Sequence, residues 1–187
     1  MRTLGVDLAS LPKRTAACTI RWQAGKAHVE RLLLGVDDER LLVLADEVTK
    51  VGIDVPFGWP DAFAKVIAAH HEGGALPQAE LRDLRFRRTD LYVWERTGKP
   101  PLSVSTDKIG VPALRAARLL ARWDAARTGE GKFVEVYPRA ARNAFRLSGT
   151  RSVEELRGRS PWLDPGRRRV RSERSTGRRA RRPAGPA

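Results

Sequence analysis

Hydrophobic and polar positions alternate at the start of the chain. Leu4, Val6 and Leu8 fall on one side of Thr3–Leu8, which predicts a first strand. Thr15–Trp22 and Ala27–Leu34 read as two more strands, joined by the turn signal Gln23-Ala24-Gly25-Lys26, so the chain opens as a meander. Asp37, Asp38 and Glu39 suit the positive end of a helix dipole, and Leu41, Leu44, Ala45 and Val48 follow at helical spacing. Val51-Gly52-Ile53-Asp54-Val55 is a short, mostly apolar run ended by Pro56, as expected of a buried central strand.

The second half predicts more helix. Asp61–His71 is a helix candidate with Phe63, Val66 and Ile67 inward and stops at Gly73-Gly74. Residues 85–110 show no clean period, contain Gly98, Pro100, Pro101 and Gly110, and read as a long functional loop. Pro112 fits the first turn of a helix to about Arg127, with Ala113, Ala116, Ala117, Leu120 and Trp123 inward. Lys132–Tyr137 is a fifth strand, and Ala140–Leu147 and Val153–Leu156 are each helix candidates. Val170 is the only large apolar residue after Pro165, so residues 165–187 are expected to be a disordered tail behind a domain spanning 1–164.

Composition changes this picture in two places. The net charge of +14 invites a nucleic-acid reading, but residues 157–187 carry 11 Arg against one Asp and one Glu. Nine of the fourteen charges therefore belong to the tail region and say little about the domain. One cysteine, Cys18, excludes an intramolecular disulfide framework, and no apolar run approaches the roughly 20 residues of a membrane span. A cytoplasmic protein with no membrane association is the expectation.

The candidate chemistry is a pair of acids. Asp7 and Asp54 sit within apolar strand runs, where an unpaired buried carboxylate is costly. If their strands are neighbours, about 4.8 Å apart, the two charges repel by roughly 3 kcal/mol at an effective dielectric near 20. A cation, a shared proton or an arginine must then intervene, and oxygen ligands on rigid strands suit Mg²⁺ or Mn²⁺. Glu135 either joins this cluster or faces solvent. Arg87-Arg88-Thr89-Asp90 and Ser103–Lys108 are polar clusters that suit either phosphate or plain solvation. His70-His71-Glu72 is a weak metal motif because adjacent helical residues diverge. Trp59 and Trp94 could stack bases but more simply anchor loops, and Cys18 reads as a small buried apolar residue.

Four segments in order, Gly5-Val6-Asp7-Leu8-Ala9-Ser10, Gly52-Ile53-Asp54-Val55-Pro56-Phe57-Gly58-Trp59-Pro60, Phe86-Arg87-Arg88-Thr89-Asp90 and Val134-Glu135-Val136-Tyr137-Pro138, closely resemble domain-of-unknown-function family 429. That family is described as predicted nucleases of ribonuclease-H-like fold, and the resemblance covers about residues 2–164. It implies an α/β fold: a ribonuclease-H-like mixed five-stranded sheet flanked by helices. It implies Asp7, Asp54 and Glu135 as catalytic metal ligands, Arg88 and Asp90 as substrate-binding residues, Mg²⁺ or Mn²⁺ as cofactor and nucleic acid as partner. The alternatives are a non-catalytic nucleic-acid-binding module and an inactive truncated member. The related actin-like ATPases and sugar kinases need two such domains, which 187 residues do not hold. The family resembled here continues past a Pro-Trp-Leu-Asp-like segment into an acidic, then Ala-rich helix. This chain runs instead from Pro161-Trp162-Leu163-Asp164 into an Arg/Gly/Pro tail, an expected frame-shifted end or a natural basic extension.

Overall fold

The computed structural model describes residues 1–104, 107–144, 160, 162–164 and 171–172. The opening meander forms as the alternation predicts: β1 (Arg2–Asp7), β2 (Ala16–Gln23) and β3 (Lys26–Leu34), with β2 antiparallel to both neighbours. Ala24 and Gly25 both take positive φ in the β2–β3 turn, the conformation whose twist matches a tight hairpin. Asp37 caps α1 (Asp38–Asp46) by accepting from the Arg40 N–H at 2.8 Å. This helix is the crossover that lets β4 (Lys50–Asp54) return parallel to β1.

Then come α2 (Asp61–His71), α3 (Leu81–Arg85), α4 (Arg88–Thr97), α5 (Asp107–Arg122), β5 (Phe133–Glu135) and α6 (Pro138–Ala144). The pairs Leu163–Asp164 (β6) and Arg171–Ser172 (β7) both lie parallel to β3, and the main path across the sheet is β5-β4-β1-β2-β3-β6. The expected five strands are thus all present, lengthened at one edge by two short pairings. Arg171–Ser172 falls in the segment expected to be a disordered tail. The rest of that tail, and the helix expected at Val153–Leu156, lie outside the described residues.

One face of the sheet carries the core. Leu4, Val6, Ala17, Leu33, Val51 and Ile53 point into it and meet Leu41 and Leu44 of α1 and Ala113, Ala116, Leu119 and Leu120 of α5. By alternation Gly5, Asp7, Ala16, Cys18, Gly52 and Asp54 occupy the opposite face. Leu32 and Leu34 share it and remain exposed. Cys18 is partly buried there, and burial pushes its thiol up to about 11. No helix among the described residues is long and apolar enough to cross a membrane.

Two expectations are corrected. The stretch expected as a loop from 85 to 110 contains α4, whose start is fixed by side chains rather than by apolar periodicity and whose end is set by Gly98 at φ +68°. Pro112 lies inside α5, not at its start; the helix begins at Asp107 and tolerates the lost N–H in its second turn.

Candidate metal centre

Strand register decides where the acids go. In the parallel β1–β4 pair Asp7 stands opposite Asp54, and Gly5 opposite Gly52 one step earlier. Both carboxylates therefore leave the same face at the C-terminal ends of adjacent strands, whose backbones lie about 4.8 Å apart. The glycines beneath them leave the backbone bare. At Gly52 a Cβ would lie 2.9 Å from the Val136 Cγ1, so a larger residue there would force Val136 to shift.

Asp7 and Asp54 were expected to be deeply buried. Asp7 is exposed and Asp54 half-buried, because the apolar residues around them in sequence point to the other face. The pair opens into a hollow of about 1480 Å³ lined by Ser10, Arg14, Lys99, Lys108, Tyr137, Arg139 and Arg142 among others. Burial, the Asp7 charge and the Glu135 charge, in that order, push the Asp54 carboxyl from 3.8 to about 6.

Glu135 behaves differently. Its register partner is Ile53, not Asp54, so it leaves β5 on the side of the core residues. Its carboxylate meets the Phe57 N–H at 2.9 Å and both terminal nitrogens of Arg87, at 2.7 and 2.8 Å. Arg87 also donates to both oxygens of Asp90, at 2.9 and 2.7 Å, while Asp90 accepts from the Arg87 backbone N–H. Asp90 is 5% exposed and closes a capping box at the start of α4. Burial alone would lower the Arg87 pKa, but its bonds to Glu135 and Asp90 outweigh that and raise it above the ordinary arginine value.

Of the residues singled out in the sequence, Asp7 and Asp54 come together and Glu135 lies near them but is held by Arg87. Asp90 lines the same hollow, but both of its carboxylate oxygens are taken up by Arg87. Arg88 is exposed on α4. Arg87, a candidate for phosphate or plain solvation in the sequence, is instead the residue that ties Glu135 to Asp90. Its signal was the i,i+3 spacing to Asp90, which allows a reciprocal cap and which Arg88 does not share. His70 and His71 are exposed at the end of α2. Trp59 packs against the core, and Trp94 tilts against Phe86 with ring centroids 5.4 Å apart.

The donor chemistry fits a divalent ion in a limited way. No three His, Cys, Asp or Glu side chains converge as a metal-binding set among the described residues. Two carboxylates still suit Mg²⁺, which keeps several waters and takes its remaining ligands from substrate phosphates. The Asp54 proton supplies a test that needs no substrate. In the metal-free protein the folded state holds this proton up to about pH 6 while the unfolded chain releases it near 3.8. Stability is therefore greatest below pH 4 as far as this group is concerned, and falls as pH rises to 6, by at most about 3 kcal/mol and less because water enters the hollow. Thermal melts in EDTA should show that decline in the wild type and not in Asp54→Asn; equal slopes would refute the assignment.

No curated protein and no solved structure matches this chain. The model of the family described as a protein of unknown function (DUF429) matches residues 5–182, beyond the 2–164 that the motifs suggested, and the chain belongs to that family.

Proposed function

We propose that this chain is a divalent-metal-dependent nuclease of ribonuclease-H-like architecture. The observation that carries the reading is the in-register pair Asp7–Asp54 at the base of a hollow with a basic rim. Five cations line that hollow besides Arg87, namely Arg14, Lys99, Lys108, Arg139 and Arg142. Carboxylates below and cations around them match a phosphodiester, whose oxygens need positive partners on every side.

Asp7 and Asp54 would hold Mg²⁺ or Mn²⁺ once Asp54 gives up its proton. Such an ion lowers the pKa of water and neutralises phosphoryl oxygens. The rim cations would orient the backbone phosphates on either side of the scissile one. In the reaction a water oxygen forms a new bond to phosphorus, the bond to the leaving sugar oxygen breaks, and the proton released by water ends on that oxygen through solvent. Glu135, engaged by Arg87, would hold the β5 end and the α4 start in place rather than act as a ligand.

The test is cleavage of labelled single- and double-stranded DNA and RNA in Mg²⁺, in Mn²⁺ and in EDTA. Cutting of at least one substrate that EDTA abolishes is the expected result. No cutting, together with no Mn²⁺ binding, would remove the proposal. The engagement of Glu135 favours a second reading, a non-catalytic nucleic-acid-binding module. It predicts binding that ignores the metal and falls steeply with salt.

A further inference from the structure

Thr15 is fully buried, and its hydroxyl group is the hinge of an unusual arrangement behind the carboxylate pair. Arg115 of α5, only 8% exposed, reaches across from the packed side. One of its terminal nitrogens donates to the Ala9 carbonyl at 2.8 Å and to the Thr15 Oγ1 at 2.6 Å. The other approaches the Val36 carbonyl at 3.4 Å, and its Nε donates to Asp38 at 2.7 Å. The Thr15 Oγ1 in turn accepts from the Ala9 N–H at 3.3 Å and donates to the Leu11 carbonyl at 3.4 Å. Both polar groups of the Ala9 peptide unit are thus tied, directly or through Thr15, to one guanidinium 106 residues away.

Ala9 is two residues beyond Asp7, and the loop it begins carries Ser10 and Arg14 to the wall of the hollow. We infer that Arg115 is a positioning residue, which sets this loop so that Ser10 and Arg14 stand beside the Asp7–Asp54 pair. A planar fork with several donors can satisfy an ion pair and three backbone or hydroxyl acceptors at once; lysine cannot. The ion pair with Asp38 joins α5 to α1 and would be sufficient for a role in stability. The bonds to Ala9 and Thr15 lie outside that role and address the loop. The functional half of this inference rests on the nuclease reading, because it takes Arg14 to be a phosphate contact.

Four variants of the full chain separate the two roles: Arg115→Lys, the gentler Thr15→Val, Asp38→Asn and Arg14→Ala. The first readout is the rate of tryptic cleavage after Lys13 and Arg14, mapped by mass spectrometry. The second is affinity for a fluorescein-labelled oligothymidylate in EDTA, where no cutting occurs. Arg115→Lys and Thr15→Val should speed cleavage in the loop and weaken the oligonucleotide on the order of fivefold, as loss of one phosphate contact does. Adding Arg14→Ala to either should weaken it no further, since both act through the same contact. Asp38→Asn should lower the melting temperature and leave both readouts unchanged. Arg115→Lys and Thr15→Val that melt lower, keep wild-type loop cleavage and add fully to Arg14→Ala would overturn the inference. If the wild type does not bind the oligonucleotide without metal, Arg14 is no metal-independent phosphate contact and loop cleavage alone decides whether Arg115 positions the loop. The nuclease reading stands or falls separately on cleavage in Mg²⁺ and Mn²⁺.

Discussion

Asp54→Asn is expected to abolish divalent-cation binding and to reduce metal-dependent phosphodiester cleavage on the order of 10³-fold or more, because a bound cation contributes several kcal/mol to such a reaction. The metal-free fold should not suffer. At neutral pH the ionised Asp54 is half-buried beside the Asp7 and Glu135 charges, so the neutral amide relieves a strain that the wild type carries without its ion. Asp7→Asn should act in the same direction but leave a diagnostic trace. It removes the second of the three causes that raise the Asp54 carboxyl, and burial, the first, remains. The Asp54 carboxyl should then titrate between 3.8 and 6 instead of near 6. Mn²⁺ titration followed by paramagnetic resonance, with melting curves in EDTA and in Mn²⁺, reads all of this. Wild-type Mn²⁺ affinity in both variants would leave the site without its ligands and the reading without support.

How much of this was legible depended on the range of the interaction. The β1 alternation put Asp7 at a definite position, and the short β4 run did the same for Asp54. Two parallel strands joined by a crossover helix then made their pairing a reasonable expectation. What the pattern could not give was depth. Strand neighbours such as Val6 and Ile53 are buried while Asp7 faces open space, because alternation separates adjacent residues onto opposite faces. Glu135 shows the same limit: one step of register sends it toward Ile53 and into the hands of Arg87. Helix α4 escaped a search for apolar periodicity because its only buried residue is Asp90 and its start is specified by polar side chains. The Arg115 contacts join residues 77 to 106 positions apart, and nothing local in the sequence announces them.

The ion pairs of Arg87 set up the second large effect. Arg87→Met should destabilise the protein by about 3–5 kcal/mol, the usual consequence of removing one partner from a buried charged network. Two carboxylates lose their cation together. Asp90 is the costlier of them, its side chain 7% exposed against 31% for Glu135. Arg87→Lys should recover only part of the loss, since an ammonium cannot bond both carboxylates in parallel forks. Arg87→Met combined with Asp90→Asn should recover more than half of it, because the deepest unpaired charge is then gone. Urea unfolding measures each of these, and a loss below about 1 kcal/mol for Arg87→Met would mean that the network does not hold α4 to the sheet. The same variant tests the division of labour among the acids. With Arg87 removed, the Glu135 charge is no longer neutralised and lies close enough to Asp54 to affect its titration. A cation at the Asp7–Asp54 pair should then bind at least as tightly as in the wild type, and Mn²⁺ should restore part of the lost stability. Weaker Mn²⁺ binding in a variant that still folds would show that Arg87 builds the centre, and would return Glu135 to the ligand set that its place in the sequence first suggested.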